Sequence, residues 1–252
     1  MDTQQYLSRI KFAGKSDPNI KVLAALQEAH LLSVPFENLD IHRGKEIALD
    51  LPHVYQKVVT MMRGGFCYEL NSLFHWLLQK LGFKVKLVSG RVYDRHRNDF
   101  GPEFDHMLIL ADVAGNQWIV DVGYGEFSMH PLPFVLIHPY NDTNGRFLIE
   151  KDIEQYFRIS RFSEKENRYI PEYRFSEQER HLGDFSGMCT YHQTSPQSHF
   201  TQQRVCSIAT RTGRITLTDD KLIVTENGVR KESPVGKGEV DHILKEYFHI
   251  VL

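Results

Sequence analysis

Arg63-Gly64-Gly65-Phe66-Cys67-Tyr68-Glu69-Leu70-Asn71 runs straight into an apolar series, Leu70, Leu73, Phe74, Leu77, Leu78 and Leu81, that stops at Gly82. The series follows i, i+3, i+4, i+7, i+8, i+11, the spacing of one helix face, and a glycine after the last apolar position is a common stop. The stretch therefore predicts a helix with a nearly all-apolar inner face and Cys67 about where it begins. The first turn of a helix leaves N–H groups unpaired and carries the positive end of the dipole. Both favour thiolate over thiol and work to lower a cysteine pKa from about 8.5. Gly64 and Gly65 let the preceding backbone turn sharply or approach a ligand closely. Read alone, Cys67 fits a small buried hydrophobe as well as a nucleophile, and the former is the commoner fate of a free cysteine.

Outward from this helix the texture differs on its two sides. Residues 1 to about 83 read as mainly helical, with one stripe through Val22, Leu23, Leu26 and His30 and another through Val54, Val58, Val59 and Met62. After Gly82, Lys84 to Val88 alternates like a half-buried strand that Val92-Tyr93 extends. His106–Val113 and Gln117–Val122 are two more strands, with Ala114-Gly115 at the turn between them. Further strands are expected over 153–162 and 169–175. Asp94 to Glu103 reads as an exposed polar loop leading into His106. Residues 184–203, rich in Gly, Ser, Thr, Gln and His, form a connector. Short strands and a last helix near 239–248 follow it. Helices, then strands, then a mixed tail predict an α+β protein with segregated parts.

The chain has 252 residues, enough for a sizeable core and two or three compact parts. Its 41% hydrophobic and 25% charged content is that of a soluble globular protein. A net charge of -2 provides no broad basic field, which argues against nucleic acid or an anionic membrane as main partner. A local basic patch for a phosphorylated cofactor stays open. Three cysteines, Cys67, Cys189 and Cys206, do not make a disulfide framework and point to a reducing compartment. The N-terminus lacks a signal-peptide pattern and no apolar run approaches membrane-spanning length, so a cytoplasmic protein is expected.

Two downstream residues raise the weight of Cys67. If Ala114-Gly115 is a two-residue hairpin loop, Val113 pairs with Asn116, and Asp121 falls across from Leu108. His106 and Leu108 share a face, so His106 and Asp121 become diagonal neighbours roughly 7–8 Å apart by backbone. A three-residue loop would place them on opposite faces. On one face, the carboxylate holds one imidazole nitrogen and leaves the other to take the thiol proton. Other motifs carry less. Gly123-x-Gly125 lacks the third glycine of a dinucleotide loop, there is no phosphate loop, and neither C-x-x-C nor H-E-x-x-H occurs, so no metal site is expected. Arg95, His96 and Arg97 are candidates for cofactor phosphates, or merely a solvated loop.

The run 63–71 closely resembles the nucleophile motif of the arylamine N-acetyltransferases. Val34-Pro35-Phe36-Glu37-Asn38-Leu39 is similar to an upstream motif of that family, His106-Met107-Leu108 and Asp121-Val122-Gly123-Tyr124-Gly125 to its base and acid segments, and Ser195-Pro196-Gln197-Ser198-His199-Phe200 to its connector. The resemblance implies a helical first domain (1–83), a central β-barrel (84–185), a connector (186–203) and an α/β lid (204–252), around a cysteine-protease-like Cys-His-Asp core. It implies a triad of Cys67, His106 and Asp121. Acetyl-CoA would acetylate Cys67, and an arylamine or arylhydrazine would then take the acetyl group in ping-pong order. It places Phe36, Tyr124, Gly125 and Phe200 by the acyl and acceptor pocket, with Phe104 as a further candidate. Arg63 and Glu69 would be structural supports.

The chain departs from the family pattern at Tyr124, where many members have Phe, and at Glu126, where a small or basic residue is common. An acidic Glu126 would disfavour anionic acceptors such as aminobenzoates. The chain also ends earlier than many members, which implies a more open pocket. From the residues alone two other readings stay open: a cysteine hydrolase or transglutaminase-like enzyme, which uses the same triad, and a ligand-binding protein without catalysis.

Overall fold

The computed structural model describes residues 1–236 and 238–252. The chain begins with α1 (Thr3–Arg9), α2 (Ile20–Leu31), a two-residue strand β1 (Phe36–Glu37), α3 (Leu51–Tyr55) and α4 (Cys67–Lys80). Asn19 caps α2 by accepting from Val22 N–H, and Leu23, Leu26 and His30 turn inward as their spacing requires. The stripe through Met62 is a partial correction. A π turn over Gln56–Thr60 follows α3, and Met62 lies beyond it with φ of +57° and its side chain exposed. The extra residue in the π turn shifts the register, so the spacing that aligned Met62 no longer holds. In α4, every predicted apolar position from Leu70 to Leu78 is buried, and Gly82 ends the helix at φ of +88°.

An antiparallel sheet follows: β2 (Lys84–Asp94), β3 (Asp99–Phe100), β4 (His106–Val113), β5 (Asn116–Val120), β6 (Leu132–Pro133), β7 (Tyr140–Asp142), β8 (Gly145–Lys151), β9 (Tyr156–Ser163) and β10 (Arg168–Arg180). Its order is β6-β5-β4-β2-β10-β9-β8-β7, with β3 on β2. The segment after β6 crosses to the other end of the sheet, where Ile137 N–H donates to the Ile149 carbonyl of β8 at 2.8 Å, so the barrel is nearly closed. The strand expected from residue 153 starts three residues later. Ile153 sits in a turn that Tyr156 N–H closes on the Ile153 carbonyl. Strand β8 has no counterpart in the sequence reading, although Asn144-Gly145 is a hairpin signal and Phe147 and Ile149 alternate inward.

The β2–β4–β5 wall is shared between two cores, and this positions the site. Leu87, Met107, Ile109, Ala111 and Val120 pack against the helices, while Val88, Leu108, Leu110 and Ile119 fill the barrel. Alternation along each strand sends neighbours to opposite cores. The clean in/out pattern expected for 84–88 is therefore lost: Lys84 is exposed and Lys86 partly so, but from Leu87 onward both faces of the strand are covered.

The connector carries α5 (Ser186–Thr194) and α6 (His199–Gln202). After it come β11 (Cys206–Thr210), β12 (Gly213–Leu217), β13 (Lys221–Glu226), β14 (Val229–Pro234) and α7 (Val240–Phe248). These four strands form a second sheet, and β1 joins it at the edge through Phe36↔Ser207 and Glu37↔Cys206. Helix α7 covers the sheet with Val240, Ile243, Leu244 and Phe248. No described helix is long and apolar enough to cross a membrane.

Candidate active site

The β4–β5 turn settles the pairing of its strands. Val113 pairs with Asn116, and Ala114 and Gly115 take φ of +54° and +79°, so the loop has two residues. Positive φ at both positions matches the right-handed twist of the flanking strands. With that parity His106 and Asp121 share a face, and His106 Nε2 lies 2.7 Å from Asp121 Oδ2. Both side chains are buried.

Asp121 has a full set of donors. Its Oδ1 accepts from Asn71 Nδ2 and from Gly123 N–H, both at 2.9 Å, and its Oδ2 also accepts from Tyr173 Oη at 3.2 Å. An ionised carboxylate only accepts, so His106 Nε2 carries the proton on that side and Nδ1 is the free nitrogen. The Tyr124 ring stands edge-on to the imidazole, with centroids 5.2 Å apart.

Cys67 reaches the same place from the helical side. It is the first residue of α4, and Gly123 packs so close that a Cβ there would lie 2.8 Å from Cys67 Cα. Its sulfur lies near the Met107 N–H, one residue after His106. Burial and the carboxylates of Asp105 and Asp121 push the Cys67 thiol well up, while the Met107 N–H works the other way. The direction is opposite to the one expected from the helix N-terminus alone, because burial disfavours the charged thiolate.

The loop before Cys67 is held by a buried ionic network. Arg63 meets Glu37 at 2.8 Å and Asp40 at 3.0 Å; Lys57 meets Asp40 at 2.8 Å and Glu69 at 2.9 Å. Glu69 also accepts from Phe66 N–H at the start of α4. Gly64 runs against the Pro35 carbonyl, where a Cβ would clash at 2.0 Å. The 34–39 segment thus docks on the cysteine loop, and Arg63 and Glu69 are among its ionic ties.

Cys67 and His106 line a cavity of about 820 Å³, together with Phe36, Tyr124 and Phe200. Asp121 stands behind His106 and does not line it, and neither do two of the pocket candidates. Phe104, at φ of +66°, turns its ring onto Phe185, 5.2 Å away in the helical core. Gly125 turns its carbonyl to Arg214 Nη2, 2.6 Å away, in the lid. Arg95 and Arg97 do line the cavity, and Arg97 is paired with Asp94 at 2.7 Å. Sequence reading missed Asp105, His192, Arg161 and Glu172, which also line it. Only Asp105, adjacent to the histidine, carried a signal. Among the described residues no group of three or more His, Cys, Asp or Glu is arranged to hold a metal.

Comparison with known proteins follows the same lines. The family model described as N-acetyltransferase matches residues 19–252, which defines the class. Within it the chain belongs to the arylamine N-acetyltransferase family. It is 33% identical to the pineal gland isozyme NAT-10 of Gallus gallus over 277 residues, covering 100% of this chain and 95% of that protein. The arylamine N-acetyltransferase of Salmonella typhimurium matches at a TM-score of 0.92 and 26% identity, over 98% of this chain and 90% of that one. The arylamine N-acetyltransferase of M. tuberculosis matches at 0.91 and 27%, over 99% and 94%.

Proposed function

We propose that Cys67 carries an acetyl group from acetyl-CoA to an arylamine or arylhydrazine, with His106 as base and Asp121 as its orienter. The observation that supports this most is the 2.7 Å contact of His106 Nε2 with Asp121. It leaves Nδ1 free on a residue that lines the same cavity as Cys67. The elevated thiol makes such a base necessary, since few buried thiols would ionise unaided.

In the first half-reaction the Cys67 proton passes to His106, and the thiolate attacks the thioester carbonyl. The bond to the CoA sulfur breaks, and that sulfur leaves with the proton from His106. In the second half the amine nitrogen attacks the Cys67 thioester and gives its proton to His106. The carbon–sulfur bond to Cys67 then breaks, and its sulfur takes the proton back. Thioester exchange is near balance, so the protein's main task is to stabilise the oxyanion and move protons. The first-turn N–H groups of α4, unpaired within the helix, are donors at hand. Phe36 and Phe200, with ring centroids 6.1 Å apart, supply apolar surface for an aromatic acceptor.

Intact mass after mixing with acetyl-CoA tests the reading. The wild type gains one acetyl group and loses it on adding an aminosalicylate or a hydrazine; Cys67→Ala gains none. An unchanged wild-type mass, with no acetyl-CoA consumed when amine is present, would overturn it. Acetyl-CoA turnover without an amine would instead favour the hydrolase reading.

A further inference from the structure

The cavity carries a buried carboxylate that the proposed chemistry does not use. Glu172 lies on β10 at a β-bulge: Pro171 pairs with Ser160 of β9 and Tyr173 with Ile159, so Glu172 is the extra residue between them. A bulge re-aims one side chain of a strand. Tyr173 keeps its place in the barrel core, while Glu172, its side chain 9% exposed, lines the cavity with Cys67 and His106.

Its hydrogen bonds leave one oxygen open. Oε1 accepts from Arg161 Nε at 2.6 Å. Oε2 lies 3.3 Å from Tyr124 Oη, which has one proton and is closer, at 3.0 Å, to the Glu172 carbonyl. Among the described residues no other donor reaches Oε2, and Arg161 Nη1 turns instead to Glu126 at 3.2 Å. A carboxylate offers about four acceptor sites, so Oε2 has room for one more donor.

Tyr124 links this oxygen to the reacting end of the cavity. Its ring stands edge-on to His106 with centroids 5.2 Å apart, and Phe127 and Tyr173 box it in at 5.5 and 5.1 Å. Its hydroxyl, at the far end of the ring from the backbone, meets Glu172. One para-hydroxylated ring thus reaches from the imidazole to Glu172.

We propose that Glu172 is a specificity-determining residue whose Oε2 accepts a hydrogen bond from the far end of the acceptor, so that the site favours arylamines with a hydroxyl opposite the amine over those with the same oxygen methylated. That this ligand is an acceptor rests on the acetyl-transfer reading; the contact itself does not. A ring lying beside Tyr124 with its amine at His106 brings its opposite substituent to Glu172. A hydroxyl there donates to Oε2. A methoxy group has no proton to give, sets an oxygen against the carboxylate and leaves Oε2 unpaired.

The test needs neither CoA nor turnover. Dissociation constants of 4-hydroxyacetanilide and 4-methoxyacetanilide, the acetylated forms of 4-aminophenol and 4-anisidine, are measured by titration calorimetry in wild type, Glu172→Met and Tyr124→Phe. Wild type binds the hydroxylated compound about tenfold tighter, as expected for a hydrogen bond to a charged group. In Glu172→Met the two bind within about twofold of each other. In Tyr124→Phe the preference stays or grows, because Oε2 loses its other donor. Equal affinities in wild type, binding of neither compound, or a preference kept in Glu172→Met overturns the proposal. If Glu172→Met does not fold, Tyr124→Phe decides: a lost preference puts the contact on Tyr124 and overturns it. The same preference should appear in kcat/KM for 4-aminophenol against 4-anisidine. Transfer to neither amine would count against the acetyl-transfer reading alone, and the binding ratio would still decide the role of Glu172.

Discussion

The Asn71 side chain bolts the cysteine helix to the acid strand. Its Nδ2 donates to Asp121 Oδ1 at 2.9 Å and to the Met107 carbonyl at 2.6 Å, and its Oδ1 accepts the Val122 N–H at 3.0 Å. Asn71 is one helical turn past Cys67, so a single amide sets the distance between the proposed nucleophile and the carboxylate behind its base. Asn71→Ala should lower kcat/KM roughly 10- to 100-fold, as expected for losing a hydrogen bond to a buried charge. Steady-state kinetics on one arylamine checks this; a change of less than about threefold would remove Asn71 from the catalytic account.

Lys57 is the hinge of the ionic network under the cysteine loop. Burial works against its charge, yet Glu69, Glu37 and Asp40 hold the ammonium above its ordinary value. Lys57→Met leaves Glu69 and Asp40 facing each other with one cation fewer. Breaking a buried pair from one side costs about 3–5 kcal/mol. For a chain of this size the melting temperature should fall by roughly 6–15 °C. Thermal unfolding measures it, and an unchanged midpoint would show the network to be energetically idle.

His30 makes the fold sensitive to mild acid. Burial first, then repulsion from Arg9, lowers its pKa to about 3 in the folded chain, against about 6.5 unfolded. Between those values the unfolded chain binds more protons, so stability falls as pH drops from about 6.5 toward 3. At pH 5 the loss from this group is about 2 kcal/mol relative to pH 7. His30→Gln should be less stable at neutral pH, since Tyr6 Oη loses its partner at 3.1 Å, yet show a shallower decline into acid. Parallel pH slopes of melting temperature in the two proteins would contradict this.

Glu126 bears on acceptor choice through Arg161. Arg161 Nη1 lies 3.2 Å from Glu126 Oε1, and its Nε 2.6 Å from Glu172 Oε1, so one guanidinium serves two carboxylates. Glu126→Gln frees Arg161 from one of them. The ratio of kcat/KM for 4-aminobenzoate to that for the uncharged 4-anisidine should rise about two- to fivefold, modest because Glu126 is largely exposed. An unaltered ratio would end the case for Glu126 in selectivity.

Local rules carried the sequence reading where a single element decided the outcome. The i, i+3, i+4 spacing from Leu70 determined α4 and put Cys67 at its start. Ala114-Gly115 offered two parities, and only the shorter loop brings His106 to Asp121; the strand pairing selected it. The same rules failed where one extra residue intervened, as when the π turn displaced Met62. Phe104, a pocket candidate drawn from the resemblance, instead sits at positive φ with its ring on Phe185 in the helical core.

Sequence alone therefore determined the helix, the hairpin strands and the Cys-His-Asp candidates, because periodicity and turn chemistry act over a few residues. Tertiary structure decided that Cys67 and His106 line one cavity beside a wall shared by two cores, that the Cys67 thiol is raised by burial, and that Asp105 faces His192 across 87 positions of chain. Those outcomes depend on which charges and which apolar faces are removed from water together. Only the packed chain sets that, since desolvation and Coulomb energy act through space and not along the sequence.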